Sequence, residues 1–159
     1  MDDLRELGWP EKKGRLDTLM RTIRVLVIDD SLTIRGILET VLGRHSDIQI
    51  IGLASDVEEA KHHLKERQPD VITLDLALPG IDGMEFLAEL SEGPHAPVLV
   101  VSSSTVDKSE ATQAAIKAGA FACFDKRHLV QDATRFVKVL RRAADERLKL
   151  LGLAPAAEA

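Results

Sequence analysis

Val71-Ile72-Thr73-Leu74-Asp75-Leu76-Ala77-Leu78-Pro79-Gly80-Ile81-Asp82-Gly83 is the stretch around which the rest of the chain is organised. An apolar, β-branched run ends on a carboxylate, and a turn rich in proline and glycine follows at once. A buried parallel strand delivers a reactive side chain to the carboxyl edge of a sheet in this way. Asp75 is therefore the candidate chemical centre. A strand-end aspartate is also an ordinary structural feature, so the neighbouring segments must decide between the two readings.

Working outward, the same alternation recurs on both sides. Ile23-Arg24-Val25-Leu26-Val27-Ile28 is a β-branched run ending in Asp29-Asp30, and Ser31 fits an N-cap. Ile34, Ile37, Leu38, Val41 and Leu42 carry helical spacing. A second strand spans 48–53, and Ser55 or Asp56 caps a helix through Val57, Ala60, Leu64 and Arg67, with Pro69 after it. Downstream, a short helix runs from Gly83 to about Leu90, with Gly93-Pro94 after it. Val98-Leu99-Val100-Val101 is a fourth strand ending in Ser102-Ser103-Ser104. A helix over 108–118 stops at Gly119, a suitable residue to follow a helix C-terminus. Phe121-Ala122-Cys123-Phe124 is a fifth strand ending in Asp125-Lys126. A last helix runs from near Leu129 to about Leu151 and stops at Gly152.

Strands alternating with helices at this spacing predict an α/β fold: a doubly wound five-stranded parallel sheet with helices on both faces. Ligands in such folds bind beyond the carboxyl ends of the strands, where the strand order reverses. Those ends carry Asp29-Asp30, Asp75, the Ser102 run and Lys126, and the second strand offers nothing.

The composition agrees with one globular domain. The chain has 159 residues, 45% hydrophobic and 30% charged, enough to bury a core without covalent staples. The net charge of -5 argues against a nucleic-acid surface. A single cysteine, Cys123, excludes an internal disulfide framework and reads as a small buried hydrophobe. The first residues have no signal-peptide pattern and no stretch is long enough to span a membrane, so the expected location is cytoplasmic.

Three carboxylates at one edge repel each other, so one of them holds a proton or a cation neutralises them. Hard oxygen ligands in a small cleft suit Mg²⁺. A carboxylate is also a nucleophile towards phosphorus, and a phosphoryl group in transfer needs a metal, a cation and hydrogen-bond donors around it. Asp30 and Asp29 would serve the metal, Lys126 the negative charge and Ser102 one phosphoryl oxygen.

With these residues in place, the segment from Ile23 to Leu140 resembles the receiver domain of two-component response regulators. The residues that carry the resemblance are Asp29-Asp30, the Asp75 to Gly83 segment, the hydroxyl run at Ser102, and Gly119-Ala120 ahead of Lys126. Pro69 to Gly83 and the serine run look close to the receivers of chemotaxis methylesterases. The resemblance implies the flavodoxin-like strand order 2-1-3-4-5. It implies that Asp75 is the phosphoacceptor, supplied by a histidine kinase or a histidine phosphotransfer protein. Asp30, Asp75 and the carbonyl of Ala77 would bind Mg²⁺ directly, with Asp29 acting through a water. Ser102 would be the switch hydroxyl, with Ser103 as runner-up. Two positions depart from the pattern. The lysine is usually followed by proline in a cis peptide; here Arg127 follows, and a trans bond is expected because a non-proline cis bond costs about 2.5–4 kcal/mol. The usual aromatic switch residue three positions before the lysine is Cys123.

The expected organisation is an N-terminal extension over 1–22, a receiver over 23–140, and an extension of the last helix with a tail over 141–159. Leu4, Leu7, Trp9, Leu16, Leu19 and Met20 make the first part a docked arm or a loose tail. Only 19 residues follow Leu140 in a chain of 159, too few for a DNA-binding or catalytic output domain, so a stand-alone receiver acting on a downstream protein target is expected. Leu140, Ala144, Leu148 and Leu151 form a stripe that would pair with a second copy, as a homodimer, or fold onto the N-terminal arm. His62-His63 reads as solvated surface, and so does the basic run Arg141-Arg142. Two alternatives stand beside this reading. One is an aspartyl-phosphate phosphatase of the haloacid-dehalogenase type, which places a second aspartate where Ala77 stands. The other is a pseudo-receiver scaffold that is never phosphorylated.

Overall fold

Val71–Leu74 forms β3, with all four side chains buried, at the centre of a five-stranded parallel sheet of order β2-β1-β3-β4-β5. The structure is a computed structural model that describes residues 22–92, 96–103 and 108–150. The remaining strands are β1 (Ile23–Ile28), β2 (Ile48–Ala54), β4 (Val98–Ser102) and β5 (Ala122–Asp125). The helices are α1 (Leu32–Gly43), α2 (Val57–Glu66), α3 (Gly83–Ser91), α4 (Lys108–Lys117) and α5 (Ala133–Leu150). The flavodoxin-like order expected from the sequence is the order observed. Leu4 to Met20 of the expected N-terminal arm lie outside the described residues, as do Gly93, Pro94, Ser104, Leu151 and Gly152.

The period-2 alternation of the strands separates two cores. Val25, Val27, Val71, Leu99 and Val101 face one side, against Leu38, Val41 and Leu42 of α1 and Phe136, Val137 and Leu140 of α5. Leu26, Ile28, Ile72, Leu74, Val98 and Val100 face the other, against Ala60 of α2, Phe86 and Leu87 of α3 and Ala115 of α4. Burying each large aliphatic or aromatic side chain contributes about 1.5–3 kcal/mol, so the sheet is held from both faces. Thr73 is an exception within it: its hydroxyl is buried and has no hydrogen-bond partner among the described residues.

Local signals account for most of the boundaries. Ser31 caps α1, accepting from the Ile34 N–H at 3.2 Å. Asp56, not Ser55, caps α2, accepting from the Glu59 N–H at 2.8 Å, while Glu59 reaches back to the Ser55 hydroxyl at 2.9 Å. Arg67 is the C-cap of α2 rather than a residue of its helical face. Gly119 follows α4 with φ +116°, and a Cβ there would meet the Ser91 hydroxyl oxygen at 2.1 Å.

Four expectations need correction. The last helix begins at Ala133, not near Leu129. The Asp125 side chain captures the Arg127 N–H and draws Lys126–His128 into a 3-10 turn, and Leu129 drops into the core before the helix starts. Arg141 is not simply solvated: its guanidinium grips Asp47 in the α1–β2 loop at 2.7 and 3.1 Å. His63 is half-buried over Gly52, where a Cβ would meet its ring at 2.8 Å, whereas His62 points outward towards Glu66 at 3.5 Å. Finally, Leu140, Ala144 and Leu148 are buried within the chain, so this stripe is not a free surface for a second copy. Among the described residues no peptide bond is cis, as expected at Lys126–Arg127. None of the described helices is long and apolar enough to cross a membrane.

Candidate functional site

The sheet reverses its order between β1 and β3, and their register pairs Ile28 with Leu74. The next residues in each strand direction, Asp29 and Asp75, therefore emerge side by side. Backbone bonds complete the edge: Asp75 N–H donates to Ile28 at 3.0 Å and Asp29 N–H to Ala54 at 2.9 Å. Each aspartate then fixes its own turn. Asp29 Oδ1 accepts from the Ser31 N–H at 2.8 Å, and Asp75 Oδ1 accepts from the Ala77 N–H at 2.9 Å. These short Asx turns leave the Oδ2 atoms facing one another.

Lys126 fills the space between them. Its Nζ lies 2.9 Å from Asp29 Oδ2 and 2.8 Å from Asp75 Oδ2, with only 11% of the side chain exposed. Asp30 stands exposed at the mouth, and carboxylate oxygens of Asp29, Asp30 and Asp75 lie within 4.8 Å of one another. Burial pulls the Lys126 ammonium down, but its hydrogen bonds and charge pairing with Asp29 and Asp75 prevail and raise it. Lys126 therefore stays charged. Burial pushes the Asp29 carboxyl above the usual aspartate range, and the nearby ammonium only partly offsets this. Among the described residues, one ammonium for three carboxylates leaves the edge short of positive charge.

The β4–β5 register sets Ser102 opposite Asp125, next to Lys126. Ser102 is half-buried and Ser103 exposed. Both line a cleft of about 660 Å³ with Ala77, Thr112, Cys123 and Arg135. Cys123 is half-buried there, and its thiol is pushed up by burial, with a Thr112 hydrogen bond opposing.

A family model described as response regulator receiver domain matches residues 25–141. The chain belongs to that family. Among curated proteins, this receiver is 43% identical over 103 residues to a protein-glutamate methylesterase/protein-glutamine glutaminase of Rhizobium johnstonii, covering 65% of this chain and 30% of that protein. It is 40% identical over 107 residues to the corresponding Caulobacter vibrioides protein, covering 67% of this chain and 31% of that one. The receiver thus spans about three-tenths of the length of these relatives. Its structure matches the response regulator domain of Thermotoga maritima CheB with a TM-score of 0.71 and 32% identity, covering 78% of this chain and 97% of that domain. It also matches a chain in the complex of the P1 domain of CheA3 with CheY6 from R. sphaeroides, at a TM-score of 0.65 and 25% identity, covering 77% of this chain and 97% of that one.

The receiver brings Asp29, Asp30, Asp75 and Lys126 into one cluster, with Ala77 in the turn that Asp75 closes and Ser102 on the adjoining strand end. Sequence reasoning gave no role to Asp125. Its place between the fifth strand and Lys126 was visible, but nothing in the order of residues says that its carboxylate folds back onto Arg127.

Proposed function

We propose that this receiver accepts a phosphoryl group on Asp75 from a phosphohistidine donor, in a Mg²⁺-dependent reaction that switches a protein-binding surface. The observation that carries this reading is Lys126 Nζ bridging Asp29 and Asp75 at 2.9 and 2.8 Å inside a three-carboxylate cluster. An Oδ of Asp75 attacks phosphorus, the P–N bond to the donor imidazole breaks, and an acyl phosphate forms. Lys126, already paired with Asp75, stays to neutralise the oxygens that the phosphoryl group brings. Ser102 donates a hydrogen bond to one of them, with Ser103 the second choice.

The acidic cluster suits a hard divalent cation, because its three carboxylates exceed the one ammonium found there among the described residues. Asp30, Asp75 and the Ala77 carbonyl are proposed as direct ligands of Mg²⁺, and Asp29 as a ligand through water. When bound, the ion would screen charge on the phosphoryl oxygens. The donor is proposed to be a histidine kinase or histidine phosphotransfer protein. The likeness to a chain of the CheA3 P1–CheY6 complex supports that class. The output is proposed to be a downstream protein met by the face of α4, β5 and α5, where the cleft beside Ser102 opens. A receiver unit over 23–140, flanked by 1–22 and 141–159 and working in the cytoplasm, belongs to the same proposal. The esterase and glutaminase activities named for the longer relatives form no part of it. Nor does a haloacid-dehalogenase-type phosphatase, because Ala77 supplies no acid or base.

Incubation with acetyl phosphate or phosphoramidate and Mg²⁺ should give a labile adduct, visible by intact mass, that is absent in Asp75→Asn and without the metal. An unmodified mass for the native chain, or an adduct that survives the substitution, overturns the reading.

A further inference from the structure

Arg127 follows the lysine directly, and its guanidinium does not point into the acidic cluster. It turns back onto Asp125. Nε lies 3.0 and 3.1 Å from the two carboxylate oxygens, and Nη2 lies 2.6 Å from Oδ2. The same carboxylate accepts the backbone N–H of Arg127 at 2.9 Å and so caps the Lys126–His128 turn. The Asp125 side chain is 14% exposed, while that of Arg127 is 59% exposed. An ion pair this exposed contributes little to global stability. Its place matters more. Residues 125 and 127 flank Lys126, so the clamp fixes the backbone on both sides of the one ammonium that bridges Asp29 and Asp75. A planar fork meeting both carboxylate oxygens also fixes orientation, which a point charge would not do. Leu129, buried just beyond, pins the far end of the turn.

We propose that Asp125 and Arg127 are positioning residues. They form a clamp around Lys126 that holds its ammonium in the bridging place before the phosphodonor arrives. Asp125 supplies the cap and Arg127 locks the cap carboxylate in place. This rests on the reading of Asp75 as acceptor for its effect on rate, but the placement of Lys126 can be read without any phosphodonor.

The test compares Arg127→Ala, Asp125→Ala and the double variant with the native full chain. One measurement is the rate of phosphorylation by phosphoramidate at saturating Mg²⁺. The other, with no donor present, is the labelling of Lys126 by an amine-acylating reagent, read by peptide mass mapping against exposed Lys149 as the internal reference. Asp125→Ala is expected to lower the maximal rate roughly tenfold, as a modest misplacement of a reacting group does. The donor concentration at half-saturation should stay unchanged. Arg127→Ala should show a smaller loss in the same direction, and the double variant should be no slower than Asp125→Ala, because the two residues act as one unit. Lys126 labelling should rise several-fold in all three. Native rate and native labelling in Arg127→Ala overturn the proposal, and so do losses that multiply in the double variant. If Asp125→Ala fails to fold, the Arg127→Ala result decides alone. If the native chain takes no phosphoryl group, the acceptor reading fails, and Lys126 labelling still decides the clamp.

Discussion

Asp29 is 2% exposed, and its carboxylate accepts from Lys126 and from the Ser31 N–H. Burial nevertheless raises its pKa above the ordinary aspartate value of 3.8. The folded state therefore prefers the neutral carboxyl. The stability this preference contributes is complete below the unfolded pKa and is lost as pH rises through the higher, folded pKa. Asp29→Asn removes the charge and keeps one of the two acceptor oxygens. In chelator-treated buffer the variant should melt with the native chain at pH near 3.5, and above it once the pH passes the raised pKa of Asp29. Each kcal/mol corresponds to roughly 2–4 °C for a chain of this size. A difference in melting temperature that stays flat across that pH range would contradict the argument. The acidic pair was legible from the sequence because it follows a β-branched run. Which aspartate is buried, and which stands exposed at the mouth, was not. That depends on Lys126 arriving from a strand three places away in the sheet.

The turn from Asp75 to α3 is held at both ends. Asp75 closes the first turn onto Ala77, and Asp82 caps α3 by accepting from the Met84 N–H at 2.9 Å. Gly80 takes φ +73°, a conformation that glycine adopts without penalty. Gly83 is needed for a different reason: a Cβ there would lie 2.1 Å from the Leu76 carbonyl oxygen. A backbone atom cannot swing aside as a side chain does. Gly83→Ala should therefore destabilise the fold by roughly 1–3 kcal/mol, measured by urea unfolding, and slow phosphorylation of Asp75 by displacing its turn. Native stability in this variant would mean that the turn has slack. Pro79-Gly80 announced a turn, because that is a local signal, whereas the cap at Asp82 was assigned only from the structure. The close approach of Gly83 to Leu76 was not legible, since it is a contact made by the folded turn. The boundary between β5 and α5 misled for the same reason. Apolar spacing from Leu129 onward suits a helix, but the cap at Asp125 and the burial of Leu129 spend that stretch on a turn.

α5 links the two ends of the molecule. Its first turns lie over the sheet with Phe136, Val137 and Leu140 in the core. Further along, Arg141 reaches the α1–β2 loop, gripping Asp47 at 2.7 and 3.1 Å and lying 3.3 Å from His45 Nδ1. Arg147 lies 3.7 Å from Asp70, whose other oxygen accepts the Arg24 N–H at 2.9 Å, at the amino edge of the sheet. The helix is thus tied to the edge opposite the acidic cluster as well as to the core. The Arg141–Asp47 pair is partly solvated, with 26% and 40% of the side chains exposed, so screening limits its worth. Arg141→Ala should cost about 1 kcal/mol in a urea titration. A cycle with Asp47→Ala should show coupling of at least about 0.5 kcal/mol, the lower end for residues in contact. Additive losses would mean that the two side chains do not stabilise the fold as a pair.

Strand and helix periods, the alternation of strand with helix and the residue type at each strand end are properties of neighbouring residues. For that reason the parallel sheet, its two apolar faces and the cluster at its carboxyl edge were legible in the sequence. Strand order supplied the rest of the site, by setting β1 beside β3 and Ser102 opposite Asp125. Contacts between residues far apart in the chain carry no local pattern. The bridge from Lys126 to two aspartates, the grip of Arg141 on Asp47, and the packing of His63 over Gly52 depend on distances that exist only after the helices have closed over the sheet. The cap of Asp125 on Arg127 is close in sequence, but the turn it forms is chosen because Leu129 has a place in the core.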